Sequence, residues 1–113
     1  MKKLIIFLLT FLLLASISLA ANARGLVFRN GPYGMTYPVP STTVILRDMN
    51  GQNASSPAIT GIDGMYYFYN MFPGNYFLDL YSGEIFIGRF LINISNTPIL
   101  PGVFSDIPPV GIQ

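Results

Sequence analysis

The chain has 113 residues, a length that suits one domain, with six basic and five acidic side chains and neither histidine nor cysteine. Without imidazole or thiol it lacks a Ser-His or Cys-His nucleophile, an imidazole general base and the usual zinc ligand sets, and its balanced charge offers no basic stripe for nucleic acid. No disulfide can staple such a chain, so its fold has to rest on an apolar core.

At the front, Lys2 and Lys3 precede an apolar run from Leu4 to Leu14 that only Thr10 interrupts, the charged and hydrophobic regions of a secretory signal peptide. The run is shorter than the roughly 20 residues that span a bilayer core, which favours a cleaved signal over an anchor. Ala21-Asn22-Ala23 supplies the small-x-small pattern that a signal peptidase accepts. Cleavage is expected after Ala23, dividing the chain into a signal at residues 1–23 and a domain at residues 24–113, with membrane contact only through an uncleaved signal. The domain carries Arg24, Arg29, Arg47 and Arg89 against Asp48, Asp63, Asp79, Glu84 and Asp106, one more negative charge than positive. The basic balance of the whole chain therefore comes from the two signal lysines. There is no cysteine to carry a lipid, and Leu100-Pro101-Gly102 lacks the threonine of a sortase signal.

Beyond the signal, β-branched and aromatic runs alternate with Gly, Pro, Asn and Asp clusters, which predicts strands and no helix. Leu26 to Arg29 reads as a first short strand, followed by a turn at Asn30 to Gly34. Pro38 and Pro40 keep the next approach out of a ladder interior. Thr42 to Asp48 is a second strand, with Val44 and Leu46 on one face and Thr43, Ile45 and Arg47 on the other. Ser56 to Gly61 predicts a third strand, and Ile62 to Met65 a hairpin turn, since Asp-Gly tolerates the positive φ that such turns need. Two strongly alternating runs follow, joined by a corner at Met71 to Asn75. Tyr66, Phe68, Tyr76, Leu78 and Leu80 share the inner parity, while Tyr67, Tyr69, Phe77, Asp79 and Tyr81 share the outer one. Ser82-Gly83 is a tight hairpin into a strand from Glu84 to Ile94. After a loop through Asn96, Pro98, Pro101 and Gly102 come short pieces around Phe104 to Ile107 and Val110 to Ile112. About seven short strands with frequent turns predict an all-β sandwich or barrel.

Asp63-Gly64, Tyr66, Phe68, Met71, Pro73-Gly74, Tyr76, Leu78 and Leu80 together resemble the D-G-x-Y-x-F-x-x-L-x-P-G-x-Y-x-L-x-V signature of carboxypeptidase regulatory-like domains, shared with collagen-adhesin B-type repeats. Met71 and Leu80 replace the commoner Leu and Val conservatively. Val44, Leu46, Asn50-Gly51 and Thr60 fit the family's preceding strands. The resemblance covers Val44 to Leu80 and implies a seven-stranded Greek-key, prealbumin-like (Ig-like) β-sandwich with an accessory, structural or binding role and no chemistry of its own. The Lys to Asn crosslink of many collagen-adhesin relatives is excluded, because both lysines lie in the signal.

Asp48, Asp63, Asp79, Glu84 and Asp106 could pair across the fold as acid and base, but a structural reading is favoured: Asp48 and Asp63 lie in turn motifs, while Asp79 and Glu84 flank a hairpin where charge keeps a strand face wet. Asp48-x-Asn50-Gly51 opens like a calcium loop, but Gln52-Asn53-Ala54 does not continue it, so it too reads as a turn. Asn53-Ala54-Ser55 and Asn93-Ile94-Ser95 match the glycosylation pattern, but the bacterial look of the signal speaks against modification. No catalytic residue, metal site or cofactor is expected. The positive feature is the outward set Tyr67, Tyr69, Phe77 and Tyr81. It reads either as cross-strand aromatic pairing, with the chain termini packed over the rings, or as a docking or sugar-stacking surface. These readings together predict a secreted or periplasmic, non-catalytic β-sandwich, a binding or structural module for a protein or polysaccharide at the cell surface, the alternative being a carbohydrate-binding module using exposed tyrosines.

Overall fold

The computed structural model describes residues 21–96 and 102–112; the expected n-region and h-region of the signal, and most of the loop through Pro98 and Pro101, lie outside them. The described chain forms nine strands in two sheets. They are β1 (Ala21–Asn30), β2 (Thr36–Pro38), β3 (Thr43–Arg47), β4 (Ala58–Ile59), β5 (Met65–Met71), β6 (Gly74–Ser82), β7 (Ile85–Ile94), β8 (Ser105–Asp106) and β9 (Val110–Ile112). A single 3₁₀ turn at Pro32–Gly34 is the only helical element among the described residues, with Tyr33 in the left-handed region at φ 61°.

One sheet is built on β1. It pairs antiparallel with β5 over Ala21–Leu26 and with β2 over Phe28–Asn30, and parallel with β8 and β9. The other has the order β4-β3-β6-β7, antiparallel throughout. The inner parity read from the alternation fills the space between the sheets: Tyr66, Leu78, Leu80, Val44 and Leu46 have no exposed surface, and Phe68, Tyr76 and Met71 are buried beside Val27, Ile92 and Ile94. Burying one such side chain contributes about 1.5–3 kcal/mol, and no covalent staple adds to that sum.

Several boundaries differ from expectation, each for a physical reason. The first strand already includes Ala21, five residues earlier than Leu26, because Ala21-Asn22-Ala23 lies in β1 opposite Met71 and Phe68 of β5, with both alanines buried. Pro38 does join a ladder, but at its last pair, opposite Phe28, where a missing N–H costs little. The third strand shrinks to Ala58–Ile59 on β3. Because β4 and β5 belong to different sheets, Ile62 to Met65 is a crossover between layers rather than a hairpin turn. Its local chemistry is as expected: Asp63 Oδ1 accepts the Met65 N–H at 3.0 Å and Gly64 has φ 76°. A Cβ on Gly64 would also press on the carbonyl oxygen of Val27, and the Val27 backbone N–H donates to Gly64 O at 2.9 Å. The Asp48 loop is a turn held by its own carboxylate, which accepts the Asn50 and Gln52 N–H groups at 2.9 and 3.0 Å.

At the Pro73-Gly74 corner the chain passes from β5 in one sheet to β6 in the other. The Tyr76 hydroxyl donates to the Phe72 carbonyl at 2.5 Å, tying the start of β6 back onto the corner. Thr60 does the same for the approach to β3: its Oγ1 donates to Val39 O at 2.7 Å and accepts the Thr42 N–H at 2.9 Å.

Among the described residues Tyr66 is the largest wholly buried side chain, and its hydroxyl has no hydrogen-bond partner there. Burial pushes the phenol far above its ordinary range, so it stays neutral. The ring lies over Gly25, where a Cβ would overlap the phenol. Tyr66→Phe is therefore expected to raise stability by about 1 kcal/mol, since an unpaired buried hydroxyl leaves with little loss of volume. Gly25→Ala is expected to cost about 1–3 kcal/mol by overpacking, with part recovered in the double variant. Urea unfolding of the four proteins measures both effects.

Candidate functional site

The four outward aromatics divide between the two sheets. Tyr67 and Tyr69 project from β5, and Phe77 and Tyr81 from β6, so they lie on opposite outer faces of the sandwich and form no common surface.

On the β5 face, pairing across β1 sets Tyr67, Arg24 and Asp106 in one row. Arg24 Nε donates to Asp106 Oδ1 at 2.7 Å, and that hydrogen bond and charge raise the guanidinium pKa further. Phe104, just before β8, lies across this row. Its ring meets Tyr67 edge-to-face at 5.6 Å and Tyr69 at 5.9 Å, and the Arg24 guanidinium sits 5.3 Å from its centre. The C-terminal segment thus does pack onto the tyrosines, as one of the two readings has it, but only in part: Tyr67 remains 40% and Tyr69 60% exposed. The result is a three-ring patch with a cation and a carboxylate at its side. Edge-to-face pairs stabilise by about 0.5–1.5 kcal/mol and hold the rings in fixed orientations, which lowers the entropy cost of docking against them.

The β6 face is used differently. Rows across the sheet place Phe77 between Arg47 and Leu91, Asp79 between Ile45 and Arg89, and Tyr81 between Thr43 and Phe86. Arg89 grips Asp79 with Nε at 2.7 Å and a terminal nitrogen at 2.9 Å, Arg47 Nε adds a third bond at 2.8 Å, and the Arg89 guanidinium stacks 5.0 Å from the Phe77 ring centre. Tyr81 pairs edge-to-face with Phe86 at 5.4 Å. Phe77 and Tyr81 are half-buried by these neighbours. Asp79, expected to keep a strand face wet, is only 1% exposed. Two guanidinium groups from the flanking strands close over it, and a central strand position gave them the reach to do so.

The fold-motif residues serve architecture: Tyr66, Phe68 and Tyr76 in the core, Asp63 and Gly64 at the crossover, Pro73 and Gly74 at the corner. Asp48, Asp63, Asp79 and Asp106 are engaged in turn bonds or ion pairs. Asn53 accepts from Arg47 at 2.5 Å, and Asn93 lies within β7, donating to Asn75 at 3.0 Å.

Sequence reasoning missed Arg24, Asp106 and Phe104 as partners of the tyrosines, because nothing local links residues about 40 and 80 positions apart along the chain. It also missed an open cavity of about 870 Å³ at one end of the sandwich, lined by Arg29, Tyr37, Pro38, Pro40, Ser82 and Ile112. The Tyr and Pro clustering of residues 32–40 was its only trace. The outer edge of β7 has no strand partner among the described residues, and it exposes Ile85, Phe86 and Leu91.

A scan against protein-family models finds no match, and a search of curated proteins finds no significant relative.

The Asp79 cluster makes acid stability testable. Hydrogen bonds from Arg89, then Arg47, outweigh desolvation and hold the Asp79 carboxyl below its ordinary value of 3.8. A lowered folded pKa contributes stability that is fully present above the unfolded value and lost as pH falls through the folded one. Asp79→Asn is expected to cost about 2 kcal/mol at pH 6, less than a fully buried pair would, because Arg89 stays half-exposed and screened. Its urea midpoint should fall less than that of the natural chain from pH 5 to pH 2, so that the two curves converge.

Proposed function

We propose that this chain is an exported, non-catalytic β-sandwich of the carboxypeptidase regulatory-like type. It acts as a binding or structural module of the cell envelope or extracellular space, docking a protein or polysaccharide on the Tyr67, Tyr69 and Phe104 patch. The single observation that carries the docking role is that patch: two tyrosines left 40% and 60% exposed around a ring that fixes their orientation, with Arg24 and Asp106 beside them. Aromatic rings next to a few polar groups are the usual content of an interaction hot spot.

The family reading is supported by the corner. A tyrosine near the start of a strand, bonded through its hydroxyl to backbone a few residues upstream at a crossing between sheets, is the tyrosine corner of Greek-key sandwiches. If β8 and β9 count as one C-terminal run interrupted by Pro108-Pro109, and β2 as an addition to β1, the nine strands reduce to the seven of a prealbumin-like sandwich. The export reading rests on Lys2-Lys3 and the apolar run behind them. The non-catalytic reading rests on the structural engagement of Asp48, Asp63, Asp79 and Asp106 in a chain without histidine or cysteine.

A second reading, a carbohydrate-binding module, is favoured by the exposed Tyr69 ring held against Phe104, with Arg24 and Asp106 on the Tyr67 side of the same patch, since sugars present an apolar face ringed by hydroxyls. Light scattering of the exported protein, alone and with cell-wall and plant polysaccharides, separates the readings. Saturable glycan binding that weakens at least tenfold in Tyr69→Ala, but not in Tyr37→Ala at the sandwich-end cavity, supports the carbohydrate module. An oligomer dissolved by Tyr69→Ala supports self-assembly through the patch. A monomer that binds glycans equally well in both variants overturns the patch as the docking surface.

A further inference from the structure

Two peptide bonds behind the apolar run follow an alanine that has a small residue two positions before it, the form of the signal-removal pattern that ends in alanine. One follows Ala23, with Ala21 two residues before it; the other follows Ala20, with Ser18 two residues before it. By pattern alone they are equivalent, and the fold distinguishes them.

Ala21 and Ala23 are fully buried and Asn22 is 7% exposed. In β1, Ala21 pairs with Met71 and Ala23 with Phe68, while the other edge of Ala23 pairs with Ser105 of β8. The register shifts between Ala21 and Ala23, where Asn70 adopts φ 57° and its N–H is taken by Asn22 Oδ1 at 3.1 Å. A chain that began at Arg24 would lose the ladder partners of Phe68 and Met71 and the acceptor of the Asn70 N–H. It would also uncover two core side chains just ahead of the Pro73-Gly74 corner. Orphaned backbone groups and exposed core surface at that corner both act against the fold.

We propose that the export signal is removed between Ala20 and Ala21, so that the mature chain keeps every described residue of β1. This inference rests on the export reading given above. The step is a hydrolysis: the Ala20 carbonyl to Ala21 nitrogen bond breaks, water's oxygen joins the Ala20 carbonyl carbon to form a carboxylate, and the nitrogen leaves as the protonated α-amine of Ala21. A cut here preserves every β1 pairing with β5 and β8.

The test is expression of the full chain in a bacterial secretion host, with intact mass and N-terminal sequencing of the exported product. The expected first residues are Ala-Asn-Ala-Arg-Gly. A product that begins at Arg24 overturns this inference while leaving export intact, whereas a product that retains Met1 inside the cell overturns export and the inference with it. Ala20→Leu, which places a large side chain before the cut and changes none of the described residues, is expected to lower the yield of the Ala21 product at least tenfold. An unchanged yield of that product would show that Ala20 does not direct the cut.

Discussion

Strand β1 is hydrogen-bonded along both edges, and the two sets of bonds come from distant parts of the chain. β5 and β2 hold it antiparallel, while the C-terminal β8 and β9 hold it parallel. Parallel neighbours cannot be joined by a tight turn, so nearly the whole chain has to be folded before the last pieces find their place. Contacts of that sequence separation carry a loop-closure cost, which slows folding. Without a disulfide, the return comes from what the pairing buries: Val27 and Ala23 from β1, Ile107, Val110 and Ile112 from the C-terminal segment.

The same pairing creates the patch on the outer face. Arg24 belongs to β1, Tyr67 and Tyr69 to β5, and Asp106 to β8, while Phe104 lies just ahead of β8; only the meeting of these elements puts three rings, a cation and a carboxylate together. The opposite face shows what happens when an outer row closes on itself. There Asp79 is buried beneath Arg89 and Arg47, Phe77 beneath the Arg89 guanidinium, and Tyr81 against Phe86. On one face the carboxylate is closed beneath two guanidinium groups while Phe86 at the β7 edge stays half-exposed, and on the other the Tyr67 and Tyr69 rings are left partly open.

Alternation along Tyr66 to Phe68 and Tyr76 to Leu80 was enough to assign the buried face, because a strand's side-chain period is two whatever its neighbours are. The Asp63-Gly64 turn, the Pro73-Gly74 corner and the Ser82-Gly83 hairpin were equally legible, since each depends on the backbone preferences of a few adjacent residues. Local chemistry did not say which sheet a strand joins. The Asp-Gly turn read as a hairpin spans two layers instead, and Ala21 and Ala23, which carry the small-x-small pattern, are also core residues of β1. Asp79 was misplaced for the same reason: an outward parity implies solvent only when no neighbouring strand supplies a counter-charge.

By itself the sequence determined the all-β character, the inner parity of the central strands, the turn positions and the exclusion of histidine and thiol chemistry, all properties set by residue type and short-range spacing. Tertiary structure alone decided the division of the four outward aromatics between opposite faces, the recruitment of Arg24, Phe104 and Asp106 to two of them, and the burial of Asp79. Those outcomes depend on which strands lie side by side, and strand neighbours are chosen by the burial and hydrogen bonding of the whole chain rather than by any segment of it.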